Sequence, residues 1–553
     1  MRQRLRSPLG AFLAYLVASF AFFGLRVADN PRTELVGFGA DPAIFVWSFA
    51  WWPHALLNGH DPLDANVIWA PDGIDLSWVT TVPLVSLLAA PLTLATSPVV
   101  AYNVAAVLMP ALAATSCFLL CRYLTGTFWP SLAGGFCFGF SAYMVGQTLG
   151  HMHLTSVFLI PLVALFIVQY VRGDLTWRQV AIRLAVALAA LLWIGTEIFF
   201  TATVMLVGAG LLALALLPDL RRRLLEVVPA IVLAYAFAAV AAAPLLLAAL
   251  DNFRYDSINR PEDWGADLVN FLVPTRLTAV GAVWAPPIAE RFNGNDAEST
   301  AYLGLPILAA VVWFAVTRWR QPGSRFLVLA FAAGVLAALG TTLRVAGHEL
   351  VWLPWDLVVK QQFFNHSLPV RFSMYVSLAA AVMVAYVVAA LPRRAGAVLA
   401  ALVVVSLVPR LDLPLWSITP DRPSFFTAGL YEDCLRPDEN VFTVPYNLHG
   451  YSLLWQVDAD FDIRMPGGYV RPGLPPEFTA LRAVWELNFQ GVIPQRPQLA
   501  ELIRVKDVDR IVVSTGYHHD LWRGALAHLG PPSVLGEVAV YPRCGETLRA
   551  SGA

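Results

Sequence analysis

The chain has 553 residues, 58% of them hydrophobic and 14% charged, with a formal net charge of −1 and a mean hydropathy of +0.62. Soluble domains run near ~45–50% apolar and ~25% charged, so most of this chain has lipid as its solvent. The near-neutral balance leaves no basic surface for nucleic acid, and of 37 basic residues only Lys360 and Lys506 are lysine.

Met-Arg-Gln-Arg-Leu-Arg opens the sequence, followed by an apolar stretch over 9–28. That stretch exceeds the ~7–15 residues of a signal-peptide core and reads as an uncleaved first membrane helix. Further stretches of membrane-spanning length lie at about 99–121, 130–149, 152–171, 179–196, 198–217, 225–250, 301–317, 326–342, 369–391 and 395–413. A segment at 77–97 contains Pro83 and Pro91 and reads either as a crossing or as a Pro-broken, interfacial or re-entrant piece. The expectation is a polytopic α-helical membrane protein with eleven or twelve crossings.

Arginines orient these segments, because short cytoplasmic turns collect positive charge. Arg2, Arg4 and Arg6 place the N-terminus inside, and Arg172, Arg178, Arg221 to Arg223, Arg318, Arg320, Arg325, Arg393 and Arg394 mark further inner turns. Loops 29–76, 251–300 and 343–368 fall outside. The first holds seven acids against one arginine, and the second eight acids against four. A full crossing at 77–97 would put Arg172 and Arg221 to Arg223 on the wrong side; an interfacial or re-entrant segment restores the pattern.

From about 414 the composition turns polar. Short β-like runs at Val441–Val444, Arg510–Val513 and Glu537–Tyr541, with a helical stretch over 520–529, predict a small extracytoplasmic α/β domain over 414–553, after a membrane module over 1–413. Cys117, Cys121 and Cys137 sit in apolar helices as small buried hydrophobes. Cys434 and Cys544 both lie in the exported domain, where an oxidising compartment favours a disulfide clasp.

The first outer loop carries Gly39-Ala-Asp41-Pro42, then Ile44-Phe-Val-Trp47-Ser-Phe-Ala-Trp51-Trp52-Pro53-His54. Asp41 reads as a helix cap with Pro42 at the first helical position. The tryptophans read as an amphipathic helix at the membrane–water interface. Other outer positions with chemistry are Glu197, between two apolar helices, and His151 and His153 at the end of a helix pair. Arg254 and Arg260 lie in an aromatic-rich loop, and His366 and Arg371 flank a Pro-initiated helix. Walker loops, His-Glu-X-X-His and nucleophile-elbow motifs are absent from the sequence.

A first helix, an early acid in a large outer loop, a juxtamembrane helix, many crossings and an exported C-terminal domain together resemble the GT-C superfamily of glycosyltransferases. Gly39-Ala-Asp41-Pro42 through Trp69-Ala-Pro71-Asp72-Gly73 looks like the start of bacterial members of that group. The resemblance implies transfer of a sugar from a polyprenyl-phosphate donor to an extracytoplasmic glycan or lipid acceptor at the inner membrane. It implies Asp41 as the base, and Arg371 with His366 at the donor phosphate. Glu197, His151, His153, Arg254 and Arg260 would line the cavity. Family loops often carry a pair of acids that bears on divalent-cation use, Mg or Mn. Here Asp41 stands alone, with Asp61, Asp64, Asp72 and Asp75 further on. The competing readings are a transporter or flippase of lipid-linked saccharides, and a non-catalytic scaffold of the same fold.

Overall fold

A computed structural model describes residues 7–252, 260–281, 287–359, 367–471, 473–546 and 548. The chain forms two compact units. One comprises Met1–Asp29, Asn103–Leu246 and Phe253–Ser417; the other comprises Asn30–Tyr102, Leu247–Asn252 and Ile418–Ala553. This division differs from a simple cut at 413/414, because the first outer loop belongs with the C-terminal region. Polar tethers described below join that loop to the C-terminal region.

Among the described residues seven helices are long and apolar enough to cross a membrane. They include Pro98–Thr125, Met152–Arg172, Thr196–Leu216 and Pro369–Ala390. Pro8–Gly24, Pro83–Ala95 and Leu305–Arg318 are apolar but shorter. Several of the expected crossings are interrupted instead. The 130–149 stretch divides into Phe128–Gly139 and Ala142–Gln147, and the 225–250 stretch breaks after Ala241. The thirteen residues of Pro83–Ala95 rise only ~20 Å, short of a ~30 Å hydrocarbon core.

The helical unit packs through small residues, which let backbones approach in a medium that supplies no hydrophobic drive between helices. A Cβ on Gly139 would come within 2.4 Å of the Ala114 Cβ. Polar tethers add to this: Tyr15 Oη donates to Leu132 O at 2.8 Å and Ser19 Oγ to Val107 O at 2.6 Å. Two arginine-bearing turns of this unit come together. Arg172 lies 5.2 Å from the Tyr123 ring and Arg318 5.5 Å from the Tyr386 ring, while Tyr386 is also within hydrogen-bonding reach of Arg172.

The second unit contains a four-stranded sheet in the order Val441–Val444, Arg510–Ser514, Val538–Tyr541, Ser533–Leu535. The first pair is parallel, with Val441 opposite Arg510, and the others antiparallel, with Val538 opposite Ser514. Helix His519–Ala525 follows the second strand, and Arg496–Val505 precedes it. Phe425, Phe426, Trp455, Val512 and Val540 pack into its core, and Cys434 and Cys544 are joined by a disulfide at its edge.

Candidate active site

In the second unit Asp41 is the first residue of helix Asp41–Leu57. Ala40, not Asp41, occupies the capping position and makes no side-chain cap bond; Asp41 instead lies in the first turn. There the positive end of the helix dipole favours an ionised carboxylate. Tyr469 hydrogen-bonds to it, and Tyr102 is within electrostatic reach. Tyr102 is held by its own bond to Val36 O at 2.8 Å. Burial, and then the charge of Asp41, push the Tyr469 hydroxyl well above its ordinary range, so it remains a protonated donor.

The loop that delivers Tyr469 is braced from both sides. Trp69 N donates to Gly467 O at 2.9 Å, Ala70 N to Met465 O at 2.8 Å, and Met465 N to Val67 O at 2.9 Å. Gly468 N donates to Asn447 Oδ1 at 2.6 Å, and Asn447 Nδ2 to Asn488 Oδ1 at 3.0 Å. Gly468 has φ +139° and its missing Cβ would lie 2.8 Å from that of Ile68. Only glycine meets both demands.

The tryptophans of the Asp41–Leu57 helix correct the interfacial reading. Trp47, Trp51 and Trp52 are all buried. Trp47 Nε1 donates to Gln456 Oε1 at 2.7 Å, Trp52 Nε1 to Thr81 Oγ1 at 3.1 Å, and the Trp51 ring meets Phe461 at 5.5 Å. This helix is a core element, enclosed by residues from the C-terminal region. Lys506, one of two lysines, is 5% exposed, reaches Asp72 Oδ2 at 2.6 Å and lies 3.8 Å from the centre of the Phe478 ring. The remaining loop acids are structural as well. Asp61 and Asp75 accept from Leu63 N and Ser77 N at 2.9 Å each, and Asp64 pairs with Asp75 across a two-residue ladder.

The helical unit holds a separate charged cluster, at the ends of its helices away from the arginine turns. Arg371, in the turn Pro369–Phe372, donates from Nε to Glu298 Oε1 at 3.2 Å and from Nη2 at 2.5 Å. Its Nη1 donates to Glu197 Oε2, and Leu368 N reaches Glu197 Oε1 at 3.4 Å. Glu197 sits in the first turn of Thr196–Leu216. The three side chains are 11%, 16% and 4% exposed for Arg371, Glu197 and Glu298. Two carboxylates around one guanidinium leave the ionised trio at −1. Tyr143, fully buried beside it, has a hydroxyl with no hydrogen-bond partner among the described residues.

His153 is within electrostatic reach of Arg371 and of His151, whose ring is 6.0 Å away. His151 Nδ1 lies 2.6 Å from Gln147 Oε1, and Gln147 Nε2 donates to Ala297 O at 2.7 Å. The structure therefore brings together His151, His153, Glu197 and Arg371. Glu298, hidden among the eight acids of its loop, joins them without any distinguishing sequence signal. Arg260 does not join; it is exposed and lies 3.8 Å from Asp263. Arg254 and His366 lie outside the described residues. Among the described residues no three His, Cys, Asp or Glu side chains converge closely enough to hold a metal ion, and no chemical step is assigned to one.

Comparison with known proteins places this architecture. The chain is similar to the Archaeoglobus fulgidus oligosaccharyltransferase in its apo form, at 12% identity and a TM-score of 0.54, over 92% of this chain and 69% of that one. A structure of the archaeal oligosaccharyltransferase AglB from Archaeoglobus fulgidus, in complex with an inhibitory peptide and a dolichol-phosphate, matches at 12% identity and 0.51 over the same shares. The arabinofuranosyltransferase AftD from Mycobacteria matches at 16% identity and 0.51, over 97% of this chain but 41% of AftD. These likenesses establish a GT-C-type fold. No curated protein matches the sequence. The family model described as a domain of unknown function, DUF6311, matches residues 12–408, and the chain belongs to that family.

Proposed function

We propose that this protein is a membrane-embedded glycosyltransferase that moves a sugar from a polyprenyl-phosphate carrier to an extracytoplasmic glycan or lipid acceptor. The observation that carries the reading is Asp41, set in the first turn of its helix and hydrogen-bonded by Tyr469, on a GT-C-type fold. In support, one similar structure is named as holding a dolichol-phosphate and another as an arabinofuranosyltransferase. The arginine-bearing end of the helical unit would face the cytoplasm with the N-terminus, and the sheet-containing region would lie outside the inner membrane.

The chemistry assigned to Asp41 is general-base catalysis. Its carboxylate takes the acceptor hydroxyl's proton as that oxygen attacks the anomeric carbon. The bond from that carbon to the phosphate oxygen breaks, and the phosphate departs with the electron pair. Tyr469 orients the carboxylate through its hydrogen bond. No step is assigned to Arg371: its guanidinium is already held by Glu197 and Glu298, and it forms with His151 and His153 a separate cluster within the helical unit.

The test supplies purified protein in lipid with radiolabelled polyprenyl-phosphate sugars and a membrane extract as acceptor source. Label moving from the carrier into a new glycan or lipid product is the expected result. Carrier that stays intact with every donor, or that crosses the bilayer unchanged, would refute it.

A further inference from the structure

The helical unit contains a cavity of about 1210 Å³ that the proposed transfer chemistry does not use. It exceeds the roughly 300–1,000 Å³ usual for small-molecule sites. Its walls come from the first helix (Ala18), from helix Phe128–Gly139 (Phe136) and from helix Arg393–Leu407 (Ala400 and Val404). At its rim stand Arg122 and Arg393, and no carboxylate lines it. Arg122 Nη1 donates to the Gly126 carbonyl. Neither arginine forms an ion pair among the described residues, although most other arginines of this unit have an acid or an aromatic ring beside them.

We propose that this cavity binds an anionic phospholipid, its acyl chains between the three helices and its phosphate at Arg122 and Arg393. The argument rests on complementarity. Small side chains at Ala397 and Ala400 keep the wall open, and an apolar void of this size takes chains rather than water. Two cations without counter-charges at its rim select an anionic headgroup, as basic pockets between membrane helices do on the cytoplasmic side. Rim and arginine turns share one end, since Tyr123, next to Arg122, lies under Arg172. The cavity thus opens where the leaflet itself is anionic.

Full-length protein would be reconstituted in phosphatidylcholine vesicles containing phosphatidylglycerol, or containing polyprenyl phosphate, then extracted gently and weighed by native mass spectrometry. The wild type retains phosphatidylglycerol in preference to phosphatidylcholine. In R122Q/R393Q that retention falls about thirtyfold, the effect of two cations at an anionic surface. A400F, which projects a phenyl ring into the void and leaves both charges, loses it as well, while R221Q/R222Q retains it. Each variant is first shown to be monodisperse and to match the wild type in circular dichroism. Equal retention in R122Q/R393Q or A400F, equal retention of phosphatidylcholine, or replacement of phosphatidylglycerol by polyprenyl phosphate overturns the proposal.

Discussion

At the scale of single residues, the proposed base is Asp41, and its role is tested through Tyr469. The phenol, kept neutral by burial and by the charge of Asp41, hydrogen-bonds to that carboxylate. Removing the hydroxyl with Y469F forfeits one hydrogen bond to a charged group, and kcat is expected to fall about tenfold with KM unchanged. Because the Tyr469 hydroxyl titrates above its ordinary value of about 10, it stays a donor through neutral and mildly alkaline pH. The alkaline limb of the pH–rate profile should therefore coincide in Y469F and wild type; a limb that moves would deny Tyr469 this role. Arg371 acts within a different set. R371A leaves Glu197 and Glu298 buried without compensation, at a cost of about 3–5 kcal/mol. E298Q, which leaves a neutral trio, is expected to cost much less, and thermal unfolding of the two variants would expose a wrong ordering. In the sequence Asp41 stood out through its Asp-Pro step, and Arg371 through Pro369. Tyr469 and Glu298 did not, because each becomes notable only through a partner far away along the chain.

At the scale of elements, the 465–469 loop is the part on which Tyr469 depends. Gly468 combines a left-handed φ with a 2.8 Å approach to Ile68, so G468A must shift the backbone. The substitution is expected to cost about 1–3 kcal/mol and to lower transfer at least as much as Y469F. Full activity in G468A would show that this loop does not set Tyr469. The Cys434–Cys544 bond, spanning 110 residues, removes about 4–5 kcal/mol of loop entropy from the unfolded chain. Reductant, or C434S/C544S, should lower the denaturation midpoint of the sheet-bearing region, followed by proteolysis of the full chain; an unmoved midpoint would contradict the clasp. The strands at Val441–Val444, Arg510–Ser514 and Val538–Tyr541 were legible as β-branched runs. The edge strand Ser533–Leu535 was not, being three residues long and preceded by two prolines. The tryptophan helix shows the reverse failure. Its aromatic pattern matches a membrane surface, yet Gln456 and Phe461 bury it.

At the scale of the whole molecule, composition and arginine placement carried furthest, since hydropathy and the satisfaction of backbone polar groups in lipid leave little freedom. They indicated a helical membrane protein whose arginine turns share an end, and the structure gathers Arg172 and Arg318 around Tyr386. Segment lengths were less legible, because Gly139 and Ala242 end helices inside apolar stretches that hydropathy reads as continuous. Membership of the outer loop was not legible at all. Residues 30–102 belong with 418–553 through bonds such as Trp47 to Gln456 and Lys506 to Asp72. The central claim is that this unit presents Asp41 as the base of a glycosyl transfer. It is tested most directly by comparing label transfer in wild type and D41N at matched expression and thermal stability. Transfer in D41N is expected to fall by about 10²–10⁴-fold; transfer that continues at the wild-type rate would contradict the account.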